Sequence, residues 1–210
     1  MYDLTQALAQ YYQVDRGVLG TESGVLDGYK AVIIADPQQP FSESDKYILD
    51  QYVMQGGRIL WVVNGVRFSE DYLSSQGATP IIALELNIND LLFRYGVRIN
   101  HALGQDLQCL PVPVDVSINS SEPNWQPMPW TYAPLLLTSQ ASSITRNVAQ
   151  VSATMASAID LVGGEDGLRK EVLLATSTAS KLTATPARVD LNWGVDNETS
   201  FQYAFIPVAV

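Results

Sequence analysis

The sequence is 210 residues long, 47% apolar and 16% charged, which is enough chain for a substantial hydrophobic core and too apolar for a disordered segment. Its 12 basic and 22 acidic residues give a net charge of −10, so polyphosphate chains and anionic lipid headgroups are repelled at long range and no nucleic-acid partner is expected. The single cysteine, Cys109, excludes an internal disulfide and a thiolate metal cage, and no apolar run reaches the ~18 residues of a membrane-spanning helix.

In chain order, Leu4, Leu8, Tyr11 and Tyr12 share one helical stripe, and Asp3 with Gln6 can cap its start, so a first helix is predicted. A glycine-rich link from Gly17 to Gly28 follows. Ala31 to Ala35 is then a continuous β-branched run, which predicts a strand covered on both faces. Pro37 and Pro40 delay the next helix to Ser42, a good N-cap with Asp45 at the third helical position and Glu43 in the first turn. Ile48, Leu49, Tyr52 and Val53 form its buried stripe, with Lys46 and Asp50 facing water. Gly56 and Gly57 end it, and Ile59 to Val63 reads as a second buried strand, completing a parallel crossover. Another helix is predicted from an Asn87 cap, with Ile88, Leu91, Leu92 and Tyr95 inward and Gly96 stopping it before Val97 to Ile99.

Beyond about residue 100 the period changes to two. Leu110, Val112, Val114, Val116 and Ile118 alternate with Pro111, Pro113, Asp115 and Ser117, an edge or irregular strand with one buried face. Similar alternation runs through Val151 to Leu161, Ala187 to Trp193 and Phe201 to Phe205. Between them, residues 122–130 read as a proline–aromatic loop and 163–167 as a turn. The predicted class is α/β, one continuous domain over 1–210. Its Rossmann-like half, 1–100, has a parallel sheet core, and 101–210 is strand-rich.

A nucleotide site needs glycine amides between strand and helix N-terminus, where the dipole meets phosphate. Here that turn reads DPQQPFS (36–42), with two prolines lacking N–H and an aspartate that repels anions. No cofactor is expected. His101, the only histidine, follows Asn100 at a predicted strand end; it excludes multi-histidine metal sites, leaves one possible general base, and reads as a solvated or hydrogen-bonded loop residue. Cys109 has no cationic neighbour to make a thiolate and reads as structural. The carboxylates Asp36, Glu70, Asp71, Asp106, Asp115, Asp160, Glu165 and Asp166 read as solvated, apart from Asp36.

Asp36 ends the first parallel strand where α/β folds place ligands, beside Asn64 at the end of the second, and an Asx-turn role competes for both. Trp125 and Trp130, set among Pro123, Pro127 and Pro129, form either a preorganised docking surface or a cover for the sheet. Asp36, Asn64, Trp125 and Trp130 are therefore the candidate ligand or partner contacts. Asn119 and Asn197 each begin a glycosylation triplet, a pattern short enough to arise by chance.

The stretches DPQQPFSESDKYILDQYVMQGGRILWVV (36–63), LNINDLLFRYGVRIN (86–100), QDLQC (105–109), PWTYAPLL (129–136) and IPVAV (206–210) resemble the gliding-motility-associated ABC transporter auxiliary proteins, GldG-like, often labelled substrate-binding. The resemblance spans nearly the whole chain and contains no catalytic signature. It implies an extracytoplasmic (periplasmic) domain at the inner membrane, accompanying an ABC permease and a separate ATPase subunit. Flanking membrane anchors would lie outside this sequence, and the helix-like and strand-like patterns in which it begins and stops fit an excised piece. It also implies a three-layer amidotransferase-like fold without the nucleophilic cysteine, hence a non-catalytic binding or assembly module. The alternatives are a degenerate or active hydrolase or transferase of that fold, working through carboxylates near Asp36 and His101, and a small-solute receptor.

Overall fold

A computed structural model describes residues 2–117, 122–163, 167–191, 201–203 and 205–210. The predicted Trp193, Glu165 and Asp166, and both glycosylation triplets, lie outside the described residues. The chain divides into two compact units, Met1–Ile33 with Phe41–Leu60, and Ile34–Pro40 with Trp61–Val210.

The first unit holds α1 (Tyr2–Ala9), α2 (Glu43–Met54) and the leading halves of β1 (Val32–Ala35) and β2 (Ile59–Val62). Helix α2 begins at a complete capping box: Ser42 Oγ accepts from the Asp45 amide at 3.1 Å and Asp45 Oδ2 accepts from the Ser42 amide at 3.0 Å. It buries Ile48, Leu49 and Tyr52, and the Tyr52 hydroxyl donates to the Tyr29 carbonyl at 2.9 Å. Gly56 takes φ +93, and a Cβ on Gly57 would stand 2.4 Å from the Tyr52 ring, so both stop-glycines are required sterically. Lys46 corrects the expectation of a water-facing side chain. It is buried, with its ammonium drawn to Glu43 Oε1 at 2.7 Å. The stripe of α1 is likewise not covered, since none of its residues is buried.

Strands β1 and β2 are parallel, because Val32 N bonds Arg58 O and Asp36 N bonds Val62 O at the same offset. They do not grow into a parallel sheet core. Ile33, Leu60 and Val62 remain exposed, so neither strand is covered on both faces, and among the described residues no third strand joins the pair. The chain turns instead into a succession of antiparallel sheets, and the Rossmann-like, amidotransferase-like three-layer expectation is overturned. The physical reason lies in β2: an all-apolar run of four or five residues has no period, so it fits a half-covered strand as well as a buried one.

In the second unit, β3 (Val66–Arg67), α3 (Glu70–Gln76) and β4 (Ala78–Ala83) follow, then α4 (Asn89–Arg94), β5 (Val97–Asp106), β6 (Cys109–Asp115) and β7 (Trp125–Thr138). The remaining strands are β8 (Gln150–Ser152), β9 (Ser157–Leu161), β10 (Leu174–Ala175), β11 (Ala179–Ala184), β12 (Ala187–Asp190), β13 (Gln202–Tyr203) and β14 (Pro207–Ala209). Among the described residues three antiparallel arrays result: β12-β4-β3, β13-β11-β5-β9, and β14-β10-β7-β6 with β8 also on β7. Their apolar sides close on a core of Val66, Ile81, Leu103, Trp130, Ala133, Met155 and Val189. Among the described residues no helix is long and apolar enough to cross a membrane.

Two local readings change here. The cap position of α4 falls on Ile88, one residue after the expected Asn87, and Ile88 has no side-chain cap bond; Asn87 sits at φ +54, a region asparagine tolerates. The proline–aromatic stretch is not a loop beyond Asn124, because β7 starts at Trp125 and pairs with β6 in the register Asp115↔Trp125, Pro113↔Pro127, Pro111↔Pro129. Proline has no N–H, so the two proline pairs occupy non-hydrogen-bonded sites, and the ladder is carried by Val112↔Met128 and Val114↔Gln126.

Candidate functional site

The ends of the parallel strands place Asp36 and Asn64 side by side. Asp36 has φ +48, its amide spent on the Val62 carbonyl at 2.7 Å. Its Oδ1 accepts from Gln38 Nε2 at 2.9 Å and from Asn64 Nδ2 at 3.4 Å, while Arg67 donates to the Gln38 carbonyl at 3.2 Å. The result is an exposed polar knot whose groups largely satisfy one another, the Asx-like use of such side chains. Gln38 and Arg67 were not legible as members, since nothing in sequence spacing shows which side chains a loop folds together.

Next to Asn64, Gly65 is buried. Its amide donates to Ser157 Oγ at 3.0 Å, and its carbonyl accepts from Leu84 N at 3.0 Å and from His101 Nδ1 at 2.8 Å. A carbonyl can only accept, so Nδ1 carries the proton and Nε2 faces Glu85 Oε1 at 3.5 Å, an ion pair only when the ring is protonated. His101 therefore lies within β5 rather than at a strand end, half-buried, and of its two expected uses it has the hydrogen-bonded one. The recess it shares with Asn64, Gly65, Leu84 and Asn89 encloses about 10 Å³, room for one water and far short of the several hundred Å³ of small-molecule sites. In the first unit a wider cleft of about 280 Å³ runs over the floor of Leu26, Ile48 and Tyr52, with Asp27, Gln51 and Gln55 at its rim.

Asp106 departs furthest from its expected solvation: it is fully buried, its carboxylate accepting from Gln108 N at 2.8 Å, Ser177 Oγ at 2.6 Å and Ser177 N. This buried acid ties β5 to the segment before β11. Burial pushes the Cys109 thiol above its usual range, and the Asp106 charge adds to that, so a thiolate nucleophile is disfavoured. No group of three or more His, Cys, Asp or Glu among the described residues could hold a metal ion.

The two tryptophans separate. Trp130 is a core residue, its Nε1 donating to the Asp190 carbonyl at 3.1 Å and its ring 5.8 Å from that of Tyr132. Trp125 is 61% exposed, on the same outer face as Pro111, Pro113, Pro127 and Pro129, which are also exposed. One indole thus covers the sheet, and the other is presented to solvent.

The family model described as "ABC-type uncharacterized transport system" matches residues 1–210. The chain belongs to this family. That family is one of auxiliary components of ABC-type transport systems, and the match is to the family as a whole. No curated protein matches the chain. Among solved structures it is similar to the "mmIFT52 N-terminal domain", with a TM-score of 0.55 and 18% identity, over 85% of this chain and 66% of that one. At that identity the likeness is one of fold alone, and this ABC_transp_aux chain spans just under two thirds of that structure's length.

Proposed function

We propose that this chain is a non-catalytic binding and assembly domain of the transport system's auxiliary component. It would act on the extracytoplasmic face, in a complex with permease and ATPase subunits and anchored by segments outside this sequence. The observation that carries this reading is the outer face of the β6–β7 hairpin, where a 61%-exposed indole stands in line with four exposed prolines. A rigid apolar face of that kind loses little entropy on docking and is typical of contact surfaces. Two further features support it over an enzyme: the Asp36–Asn64 knot is internally bonded, and His101 serves a backbone carbonyl beside a space for one water.

The test is purification of the tagged full-length protein from native membranes in mild detergent, with mass spectrometry of what accompanies it. Permease and ATPase subunits are expected, and recovery of neither would end the assembly reading. A gliding-type apparatus is the narrower form of the proposal; gliding components among the co-purified subunits would establish it. The 280 Å³ cleft favours one second reading, a small-solute receptor, which a thermal-shift screen of neutral polar solutes checks through Gln51→Ala.

A further inference from the structure

We infer that the outer face of the β6–β7 hairpin docks an extended, arginine-bearing segment of a partner protein, with the guanidinium seated on the Trp125 indole beside the Asp115 carboxylate. This rests on the docking reading above and adds the chemistry of the partner.

Asp115 and Trp125 are directly opposed in the antiparallel ladder, so both side chains rise from one face a few ångströms apart. Both are exposed. Asp115 Oδ1 accepts from the amides of Ser117 at 3.0 Å and Asn124 at 2.9 Å, which holds the carboxylate in its charged form. An indole face next to a carboxylate attracts a cation twice, through the ring quadrupole and through charge. Elsewhere the chain supplies its own cation to an aromatic ring, as where Lys181 Nζ stands 4.6 Å from the Phe201 ring centre. The hairpin cannot: residues 109–131 contain Asp115 and Glu122 and no Lys, Arg or His. The net charge of −10 biases encounters in the same direction.

The prolines determine how a partner approaches. Pro111 and Pro113 stand on β6, the end strand of its sheet, at sites whose missing N–H groups would face a newcomer. Strand addition at that edge is therefore denied, and recognition falls to side chains lying across the flat face. Four proline rings there favour an extended or polyproline-like segment, and arginine suits the site better than lysine because its planar head stacks on indole while bonding a carboxylate.

The probe is a dye-labelled octapeptide of alternating arginine and proline, titrated into the 210-residue protein by fluorescence anisotropy, with glutamate–proline and citrulline–proline octapeptides beside it. Only the arginine peptide should bind. Trp125→Ala, which leaves the net charge unchanged, should weaken it at least about tenfold, as loss of an aromatic anchor does. Trp125→Phe should recover part of that loss, and Asp115→Asn should weaken binding severalfold. Circular dichroism identical to wild type shows that the variants fold. Equal binding by Trp125→Ala, or none by the wild type, overturns the inference. Co-purification of transport subunits alongside such a failure would leave the assembly reading standing and remove this one alone.

Discussion

Gly65 shows how one residue can hold a site together without taking part in chemistry. Its amide and carbonyl engage Ser157, Leu84 and His101, and a Cβ there would lie 2.6 Å from the Asn100 carbonyl oxygen, a backbone atom that cannot swing aside. Gly65→Ala should therefore lower unfolding stability by about 1–3 kcal/mol, the usual range for overpacking. Gly28→Ala, where nothing lies within 4 Å, should stay within about 0.5 kcal/mol of wild type. Urea titrations of the two variants give the comparison, and equal midpoints would show that the sheet yields around residue 65. Cys109 permits a chemical check of the same packing. Because burial raises its thiol, iodoacetamide should alkylate it more slowly in the folded protein than in urea at the same pH.

At the scale of elements, α2 is the piece whose two ends agree with its pattern, although Lys46 between them does not. Removing the cap with Ser42→Ala should cost about 1 kcal/mol by thermal or urea unfolding, and a change below a few tenths would mean that the helix is held by packing alone. This helix was legible because Ser42, Asp45, Gly56 and Gly57 each act within one turn of the chain. The hairpin was legible only in half. The alternation of Val112 and Val114 gives β6, whereas Pro127 and Pro129 point to a loop unless one knows that they face Pro113 and Pro111 across a ladder. Register is a long-range property, and one strand's residues do not display it. The same limit hid the Asp106–Ser177 link, 71 residues apart, and the fate of β2, whose apolar run says nothing about whether a third strand will join it. If the prolines protect the edge of β6, Pro111→Thr with Pro113→Thr should leave the unfolding midpoint nearly unchanged and produce oligomers by light scattering. A monomeric double variant would show that the edge is protected by something else.

For the whole molecule, acid should act twice, and the two effects can be told apart. Asp160 is held below the ordinary carboxylate value of 3.8 first by the hydrogen bond from Arg98, and Asp115 first by the Ser117 amide. A depressed folded value means that the unfolded chain binds protons first as pH falls. The stability these groups add is complete above the unfolded value and is lost as pH drops through the folded values, that is, below about 3.8. Colloidal behaviour changes sooner. The net charge of −10 at pH 7 reaches zero near the isoelectric point of about 4.4, where exposed apolar groups such as Ile33, Leu60 and Trp125 are no longer kept apart by repulsion. Turbidity on acidification from neutral pH should accordingly peak near pH 4.4 while far-UV circular dichroism is still native, and the loss of ellipticity should follow only at lower pH. Arg98→Ala should move the second transition to higher pH and leave the first almost in place, because it changes one charge in many but removes the leading cause of the Asp160 shift. Simultaneous loss of solubility and ellipticity near pH 4.4 in the wild type would mean that association itself unfolds the chain, before protonation of the paired carboxylates can set its acid limit.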